Sequence, residues 1–389
     1  MRSVLTLTTA IALSIGAART TEACPFCEAP SLTLTEQLNQ SDVAALVQWV
    51  ESKPLDREEG FPGSTTYEVV EVVHDASNTL EKGGQVTLKR DRAAQKGDLF
   101  LLLGTNGTTI EWSSPLEVTE TAFQYMKQAP TRETAPVERL GYFLQFLEWQ
   151  DPLIANDAYA EFANAPYKDI ALLADEIPRE SVRDWIMDPN TPPTRIGLYG
   201  LLLGLSGNED DAQMMLDKIL EPTQEFRLGI NGVMSGYMLL TGEEGLAKIE
   251  DAKLRDEDAP FSETYAAMQS LRFMWTYAPE RISKERLRQS MRILLERPEL
   301  ADLVVTDLAR WHDWSVVDRL MDMYDEEEYS IPSIKRAIVR FFLVAEKVKP
   351  EDEEGPTPEA AEKAADYLAQ LRENDPETVK QAERFFFVN

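Results

Sequence analysis

The chain has 389 residues, enough to bury a large hydrophobic core, and its formal net charge is −29. This excess of acid excludes a nucleic-acid-binding protein, because phosphate recognition needs a basic surface and no part of the sequence supplies one. It also argues against adsorption to anionic lipid. We interpret the acidity as a source of solubility or an adaptation to a salty medium, with attraction of a cationic partner as the alternative.

The first 23 residues have the features of a secretory signal peptide. Arg2 supplies a positive start, an uncharged apolar run follows, and Ala23 offers a small residue for a peptidase. The apolar run is too short and too rich in threonine for a membrane span, and no later segment is long enough for one. We therefore predict cleavage after Ala23 and export to the periplasm or the extracellular space. A lipid anchor on Cys24 is the alternative, although the residues before it match a lipobox poorly.

The stretch from residue 42 to residue 119 has the alternating, β-branched patterns of about five short strands. Asn106-Gly107 lies between two strand-like runs and predicts a tight hairpin, because both central residues of such a turn need positive φ. Since no long helix interrupts the stretch, it predicts a small barrel or sandwich. The predicted strands are residues 43–47, 66–73, 86–88, 99–103 and 110–112.

Several motifs of this stretch occur in a known order. They are a cysteine motif, a short polar helix at residues 35–40, and strands Tyr-Glu-Val-Val, Val-Thr-Leu and Leu-Phe-Leu-Leu at residues 67–70, 86–88 and 99–102. Together they resemble the netrin-type module, the OB-like barrel shared by tissue inhibitors of metalloproteinases (TIMPs). The resemblance covers residues 24–119 and implies an OB-like domain, which we bound at residues 24–128. Those inhibitors begin Cys-x-Cys with distant disulfide partners, whereas Cys24 and Cys27 have none.

From about residue 130 the apolar residues recur with helical spacing. Leu287, Met291 and Leu294 lie on one stripe, as the period of an α-helix requires. An acidic residue followed by proline suits a helix start, because the acid caps the helix and the proline occupies its first turn. Such pairs occur at residues 151–152, 188–189, 221–222 and 375–376.

A glycine pattern repeats within this helical part. Gly197, Gly200 and Gly204 recur with the same spacing 32 residues later, at residues 229, 232 and 236. Each set ends in a turn, where Gly207 and Gly242 suit left-handed caps, and a partner helix follows at residues 212–220 or 245–254. Paired helices in units of 30–40 residues predict a HEAT-like α-solenoid, which we bound at residues 129–349. The glycines predict close helix contact rather than a ligand cleft.

The end of the chain divides into two predicted segments. Residues 350–358 are acidic and contain proline, which predicts a linker or exposed loop. Residues 359–389 predict C-terminal helices that dock on the array. The apolar residues 385–388 would be unusual in solvent, so we expect them to dock as well. The fold prediction is therefore an α+β multidomain chain, with a small N-terminal OB-like β-barrel followed by an α-solenoid of helix pairs.

The sharpest chemical feature is Cys24-Pro25-Phe26-Cys27. Close thiols can form a disulfide, exchange disulfides or supply half of a metal site. Thioredoxin-like exchange needs a strand before the pair, but only the predicted leader precedes it, and Glu28 stands where covalent haem attachment needs histidine. We favour a local structural disulfide between Cys24 and Cys27, as expected in an oxidising compartment. Redox exchange, metal binding and intermolecular linkage are the alternatives.

The two histidines are the other candidates for chemistry. His312 lies near Asp307 in sequence, and a histidine beside carboxylates can bind a metal or act as a base. Trp311 and Trp314 favour a packed, hydrogen-bonded His312 at a helix–helix turn instead. His74 ends a predicted strand and is expected at the surface.

No catalytic motif stands out from the sequence. Neither a Gly-x-Ser-x-Gly elbow nor a phosphate loop occurs, so we predict no catalytic residue, no metal ligand and no cofactor. The leading hypothesis is an exported, non-enzymatic binding or scaffold protein with protein partners. The alternatives are a thiol-redox or metal-carrying protein that uses Cys24 and Cys27, and a TIMP-like protease inhibitor that acts through its N-terminus.

The start Ala-Cys-Pro-Phe-Cys at residues 23–27 is followed by further characteristic stretches at residues 157–167 and 307–311. This combination resembles a group of uncharacterised exported proteins of the planctomycete type. The resemblance covers most of the chain and implies no activity.

Overall fold

The computed structural model describes residues 23–27, 32–58, 60–76, 78–352 and 354–384. Within this part the protein is α+β, with a six-stranded antiparallel sheet near the N-terminus and a long series of helices after it. Residues 1–22 of the predicted 23-residue leader and the terminal apolar residues 385–388 lie outside the described residues. No helix of the described part is long and apolar enough to cross a membrane.

The sheet is built around a central strand, β1, that pairs with both of its neighbours. Strand order is β3-β2-β1-β4-β5, and β6 pairs with β4 beside this path. The strands are β1 Val43–Lys53, β2 Ser64–Asp75, β3 Gln85–Leu88, β4 Leu99–Thr105, β5 Glu111–Trp112 and β6 Leu116–Glu117.

The two faces of the sheet are both buried, each in a different core. Because side chains alternate along a strand, successive residues of β1 enter opposite cores. Leu46 and Leu101 join the large core that also contains the helices, whereas Val47 and Phe100 enter a smaller core confined to the sheet. Tyr67 is fully buried in the smaller core, with its ring 5.4 Å from that of Phe100. One face of the sheet therefore covers the core that contains the helices, and the other face carries a separate, smaller core.

The predicted hairpin forms, but its turn differs from the prediction. Thr105 pairs with Glu111, so the connection is a five-residue loop, and neither Asn106 nor Gly107 adopts positive φ. Asn106 donates its backbone N–H to the carboxylate of Asp42 at 2.7 Å instead. This bond holds the loop in a wider conformation than a two-residue turn allows.

The helices fill the rest of the described chain, joined by short turns and several one-turn helices. The helices are α1 Leu34–Gln40, α2 Glu120–Gln128, α3 Pro136–Leu144, α4 Pro152–Ala163, α5 Tyr167–Ala171, α6 Arg179–Met187, α7 Pro193–Ser206, α8 Glu209–Leu220, α9 Ile230–Thr241, α10 Glu243–Ile249, α11 Phe261–Tyr277, α12 Lys284–Ile293, α13 Ala301–Arg310, α14 Val317–Asp325, α15 Pro332–Lys347, α16 Pro358–Asn374 and α17 Pro376–Glu383. A π-turn at Glu250–Leu254 extends α10, where the sequence predicts one continuous helix.

Two of the four acid–proline pairs start helices, as predicted. Asp151 caps α4 by accepting the N–H of Leu153, and Asp375 caps α17. The prediction is wrong at Asp188 and Glu221, which end α6 and α8. A residue before proline is driven out of the α region, so the same pair terminates a preceding helix equally well.

The two glycine caps also differ from each other. Gly242 has φ of 63°, as a left-handed residue should, whereas Gly207 has φ of −75°, so the left-handed prediction is wrong there. Gly207 is needed for space instead, because a Cβ on it would lie 2.6 Å from the carbonyl oxygen of Leu203. Both turns nevertheless end their helices where the sequence indicates.

At the C-terminal end, α16 and α17 pack against α15. The acidic segment before α16 is held against the helical part by hydrogen bonds. Glu354 accepts a hydrogen bond from Lys284 at 3.0 Å, and its carbonyl oxygen accepts one from the indole of Trp314 at 2.8 Å. Pro356 is buried beside them.

Candidate functional site

The segment that carries the two cysteines forms a closed loop. Cys24 and Cys27 are joined by a disulfide, and the N–H of Cys27 donates to the carbonyl oxygen of Cys24 at 3.4 Å. Cys24 is buried, and Cys27 is half-buried. The structure therefore has the local pair that the sequence favours; we call residues 23–27 the disulfide loop.

Three helices hold the disulfide loop. The backbone N–H of Cys24 donates to the carbonyl oxygen of Ala163, at the end of α4, at 3.1 Å. The ring of Phe26 packs 4.8 Å from the ring of Phe273 on α11. On α7, a Cβ added to Gly197 would lie 2.7 Å from the carbonyl oxygen of Phe26. The loop is thus seated on the helices rather than projecting from them.

The repeated glycines explain how the disulfide loop packs on these helices. A Cβ on Gly200 would lie 2.5 Å from the backbone nitrogen of Val233, and one on Gly232 would lie 2.2 Å from the carbonyl oxygen of Gly197. Helices α7 and α9 therefore pack backbone to backbone, as the sequence predicts. Gly197 has a second role that the sequence does not indicate, because it also makes room for Phe26 on the disulfide loop.

A groove lies beside the disulfide loop, bounded on the other side by α9 and α11. Its volume is about 360 Å³. A smaller depression shares four of its lining residues and continues it along α11 to Tyr277. We call the two together the loop groove, lined by Pro25, Cys27, Phe226, Asn231, Tyr265 and Gln269 among others.

The rim of the loop groove exposes large apolar side chains. Phe226 is 72% exposed and Phe261 is 50% exposed, which is unusual for aromatic residues in a chain with so large a core. Phe261 stacks on Tyr265, with ring centroids 5.9 Å apart. Exposed aromatic side chains beside a groove are typical of a protein-interaction site.

A buried charge cluster fixes the wall beneath Phe226. Arg227 donates through its Nε and Nη2 atoms to the carboxylate of Glu263, and Lys253 lies 2.9 Å from the same carboxylate. Burial alone would raise the pKa of Glu263, but hydrogen bonds from Arg227 and Lys253 hold that pKa below its ordinary value. Arg227 also donates to the carbonyl oxygen of Ile219 at the end of α8, so the loop that carries Phe226 is anchored on two helices.

Asp157 on α4 is the most strongly perturbed carboxylate near the sheet. Burial raises its pKa to about 6, although the N–H of Leu34 and the hydroxyl of Tyr125 both donate to it and act in the opposite direction. These two bonds connect the start of α1 and helix α2 to α4. Asp157 therefore has a structural role, because each of its two carboxylate oxygens already accepts a hydrogen bond.

The histidines lie in different parts of the fold. His312 follows α13 with φ of 52°, stacks on Trp314 and has its Nδ1 3.6 Å from Glu354. It is packed at a turn as predicted, but within the described residues its buried Nδ1 has no hydrogen-bond partner. His74 is half-buried, not fully at the surface, and its Nε2 donates to the carbonyl oxygen of Ser41 at 2.8 Å.

The described residues contain no group of three or more histidine, cysteine or acidic side chains arranged to hold a metal ion. Of the candidates that the sequence indicates, Cys27 lines the loop groove, and its disulfide partner Cys24 is buried behind it. The residues predicted from the sequence do not include Phe226, Phe261, Tyr265 and Gln269. An isolated phenylalanine in the polar stretch Gln224-Glu225-Phe226 is the one signal that points towards them.

The chain matches no protein-family model, no curated protein and no solved structure.

Proposed function

We propose that the protein is an exported, non-enzymatic binding protein whose loop groove receives a segment of a partner protein. The observation that carries this proposal is the pairing of a shaped groove with exposed aromatic side chains, above all Phe226, at its rim. Aromatic residues at the centre of an interface contribute most of its binding energy. A small molecule inside the groove would leave Phe226 and Phe261 in water, whereas a protein segment would cover them.

Export is supported by the disulfide between Cys24 and Cys27, since disulfides persist mainly in oxidising compartments. It agrees with the signal peptide that the sequence predicts at residues 1–23. We also propose membership in the uncharacterised exported group of the planctomycete type, on the Ala-Cys-Pro-Phe-Cys start and the stretches at residues 157–167 and 307–311.

An OB-like barrel is our interpretation of the curled sheet. Its support is a contact between the two ends of the strand order. The guanidinium of Arg90, just after β3, donates to the carbonyl oxygen of Trp112 in β5 at 3.0 Å and to Ser114 at 3.3 Å. Arg92 reaches Glu117 in β6 at 3.1 Å. Side chains thus bring together the two edges that a barrel would join.

A HEAT-like solenoid is our interpretation of the helical part. Its support is a series of ion pairs, with carboxylates that are almost fully buried, between residues at nearly constant sequence separation. Arg179 pairs with Asp211 over 32 residues, Arg227 with Glu263 over 36, and Arg272 with Asp307 over 35. A repeated separation of this size is expected when each helix pair stacks on the next.

The alternative functions receive less support. A thiol-redox site needs an accessible sulfur, but Cys24 is buried, and only its half-buried partner Cys27 lines the groove. A TIMP-like inhibitor would have to present its N-terminal cysteine to a protease, whereas the N–H of Cys24 is bonded to Ala163. A metal carrier would need ligands besides the two sulfurs, which already bond to each other.

Affinity capture from the native envelope and secreted fractions tests the binding function. The bait proteins are wild type, Phe226→Ser, and Leu172→Ser as the matched control, because Leu172 is 59% exposed and does not line the loop groove. We expect a protein captured by wild type and Leu172→Ser but not by Phe226→Ser. Capture that is absent, or equal for all three baits, would contradict the proposal. Circular dichroism establishes that each bait is folded.

A further inference from the structure

We infer that the partner segment is extended and positively charged, with an aromatic or branched aliphatic side chain as its anchor. This inference rests on the proposed binding function and specifies the chemistry of the partner at the same groove.

The anchor follows from the shape and lining of the loop groove. A volume of about 360 Å³, walled by Pro25, Phe226 and Tyr265, suits one or a few apolar side chains rather than a folded domain. An aromatic side chain that enters it would contact rings on both walls, and such pairs stabilise beyond the area that they bury. The exposed rim then covers the residues next to the anchor.

The polar floor of the groove suits a peptide backbone. Asn231 donates through Nδ2 to Oε1 of Gln269 at 3.0 Å, which links α9 to α11 beneath the groove. Each amide has two hydrogens and two lone pairs, so this single bond uses only part of their capacity. The pair can therefore offer a donor and an acceptor to a peptide that passes over it.

The length of the groove favours an extended segment. Lining residues run along α11 from Ser262 to Tyr277. At 1.5 Å per residue, this face of the helix is about 22 Å long. An extended chain spans that distance with about seven residues.

The charge of the partner follows from the loops that lead into the groove. Glu225 precedes Phe226, and the exposed Asp256, Glu257 and Asp258 precede α11. The cations that line or approach the groove have acidic partners. Arg227 and Lys253 share Glu263, and Arg272 pairs with Asp307. The exposed Arg255 lies 3.9 Å from Glu250 and 3.8 Å from Asp251. In these two loops the exposed acids therefore outnumber the exposed cation, Arg255, in keeping with the net charge of −29. A Lys- or Arg-bearing segment is attracted to such a border, and a second copy of this chain is repelled by it.

Selection from a display library of random 12-residue peptides tests the inference. The baits are the disulfide-intact wild type and the Phe226→Ser and Leu172→Ser variants. We expect the enriched peptides to combine an aromatic or branched aliphatic residue with Lys or Arg and to lack Asp and Glu. Enrichment should persist on Leu172→Ser and disappear on Phe226→Ser.

A charge variant then tests the acidic border directly. Glu225→Gln, Glu257→Gln and Asp258→Asn, combined in one protein, should weaken binding of the best enriched peptide about tenfold at low salt. The same peptide should lose affinity on the wild type as salt is added, because exposed charges are screened. Fluorescence anisotropy measures both effects.

Several results would overturn the inference. These are no enrichment, enrichment of acidic or uncharged peptides, an unchanged affinity in the charge variant, or a dimer in sedimentation that Phe226→Ser dissolves. The binding function fails separately, if the affinity capture yields no partner that depends on Phe226. A captured partner that depends on Phe226 but enters the groove through an acidic segment would leave the function standing and refute the inference.

Discussion

Gly204 on α7 and Gly236 on α9 are in backbone contact: a Cβ built on Gly204 would lie 2.3 Å from the Cα of Gly236. No real Cβ occupies such a position without displacement of the neighbouring helix. The same helix pair carries Gly197, on which Phe26 of the disulfide loop is seated. The contact that joins the two helices therefore also determines where the wall of the loop groove lies.

Gly204→Ala should destabilise the protein, because the added methyl group must push α9 away. We expect the free energy of unfolding to fall by about 2 kcal/mol, measured by urea denaturation. Gly141→Ala is the matched helical control on α3, where the methyl group would approach only side chains, most closely the end of the flexible Glu176 side chain. It should be neutral or slightly stabilising, since alanine is the better helix former. Equal stability of both variants would contradict the close helix contact.

The disulfide should stabilise the protein by fastening the loop to the helices. In Cys24→Ala/Cys27→Ala, the free energy of unfolding should fall by about 2 kcal/mol, the amount expected for a loop closed over so few residues. A reducing agent should produce the same change in the wild type and none in the double variant. If reduction does not change the urea midpoint of the wild type, the disulfide does not stabilise the protein.

Asp157 should make stability depend on pH in a specific direction. Because its pKa is raised to about 6 in the folded protein, the folded state holds a proton that the unfolded chain releases between about pH 4 and pH 6. Stability from this group is therefore present at low pH and is lost as pH rises to about 6. The loss is at most about 3 kcal/mol.

Asp157→Asn isolates this contribution. The amide oxygen can still accept from Leu34 and the amide nitrogen can donate to Tyr125, so the two bonds survive without the ionisation. The variant should gain stability relative to the wild type as pH rises from 4 to 7, in parallel urea titrations. A difference that does not change with pH would refute the assignment.

Glu263→Gln should be strongly destabilising near pH 7, because it leaves Arg227 and Lys253 without their buried anion. Loss of one partner of a buried ion pair costs about 3–5 kcal/mol. Since the pKa of Glu263 is lowered in the folded protein, the contribution is present above the ordinary pKa of a glutamate and is lost as the pH falls through the lowered pKa. Glu244→Gln is the control, because the side chain of Glu244 is 85% exposed and lies 3.9 Å from Lys248. It should change thermal stability by less than about 0.5 kcal/mol.

Local patterns predict much of the secondary structure and one tertiary contact. The spacing of Gly197, Gly200 and Gly204 indicates a helix face without side chains, and its repetition predicts the partner helix, because close packing needs small residues on both sides. Strands and helices follow from the alternating and helical periods. The acid–proline pairs predict a helix start correctly in only half of the cases. Asp188 and Glu221 instead end a helix, because the following proline disfavours the helical conformation of the residue before it.

The candidate site could not be predicted in the same way. The loop groove depends on where Phe26 docks, and its contacts with Gly197 and Phe273 join distant parts of the sequence. The residues around Phe226 in the sequence do not indicate that Arg227 binds the carboxylate of Glu263 and so anchors the loop on α11. These features arise only when helices far apart in the chain are brought together. The spacing of apolar residues along the sequence therefore cannot predict them.

The most direct measurement is photo-crosslinking at the rim of the loop groove. Phe226 is replaced by p-benzoyl-phenylalanine, which its 72% exposure should tolerate, and Leu172 is replaced in the control. After irradiation in the native envelope and secreted fractions, mass spectrometry identifies the crosslinked residues. The account predicts a crosslink from position 226 to a Lys- or Arg-rich apolar segment of a partner, and none to that segment from position 172. A partner that crosslinks at position 172 but not at position 226 would contradict it.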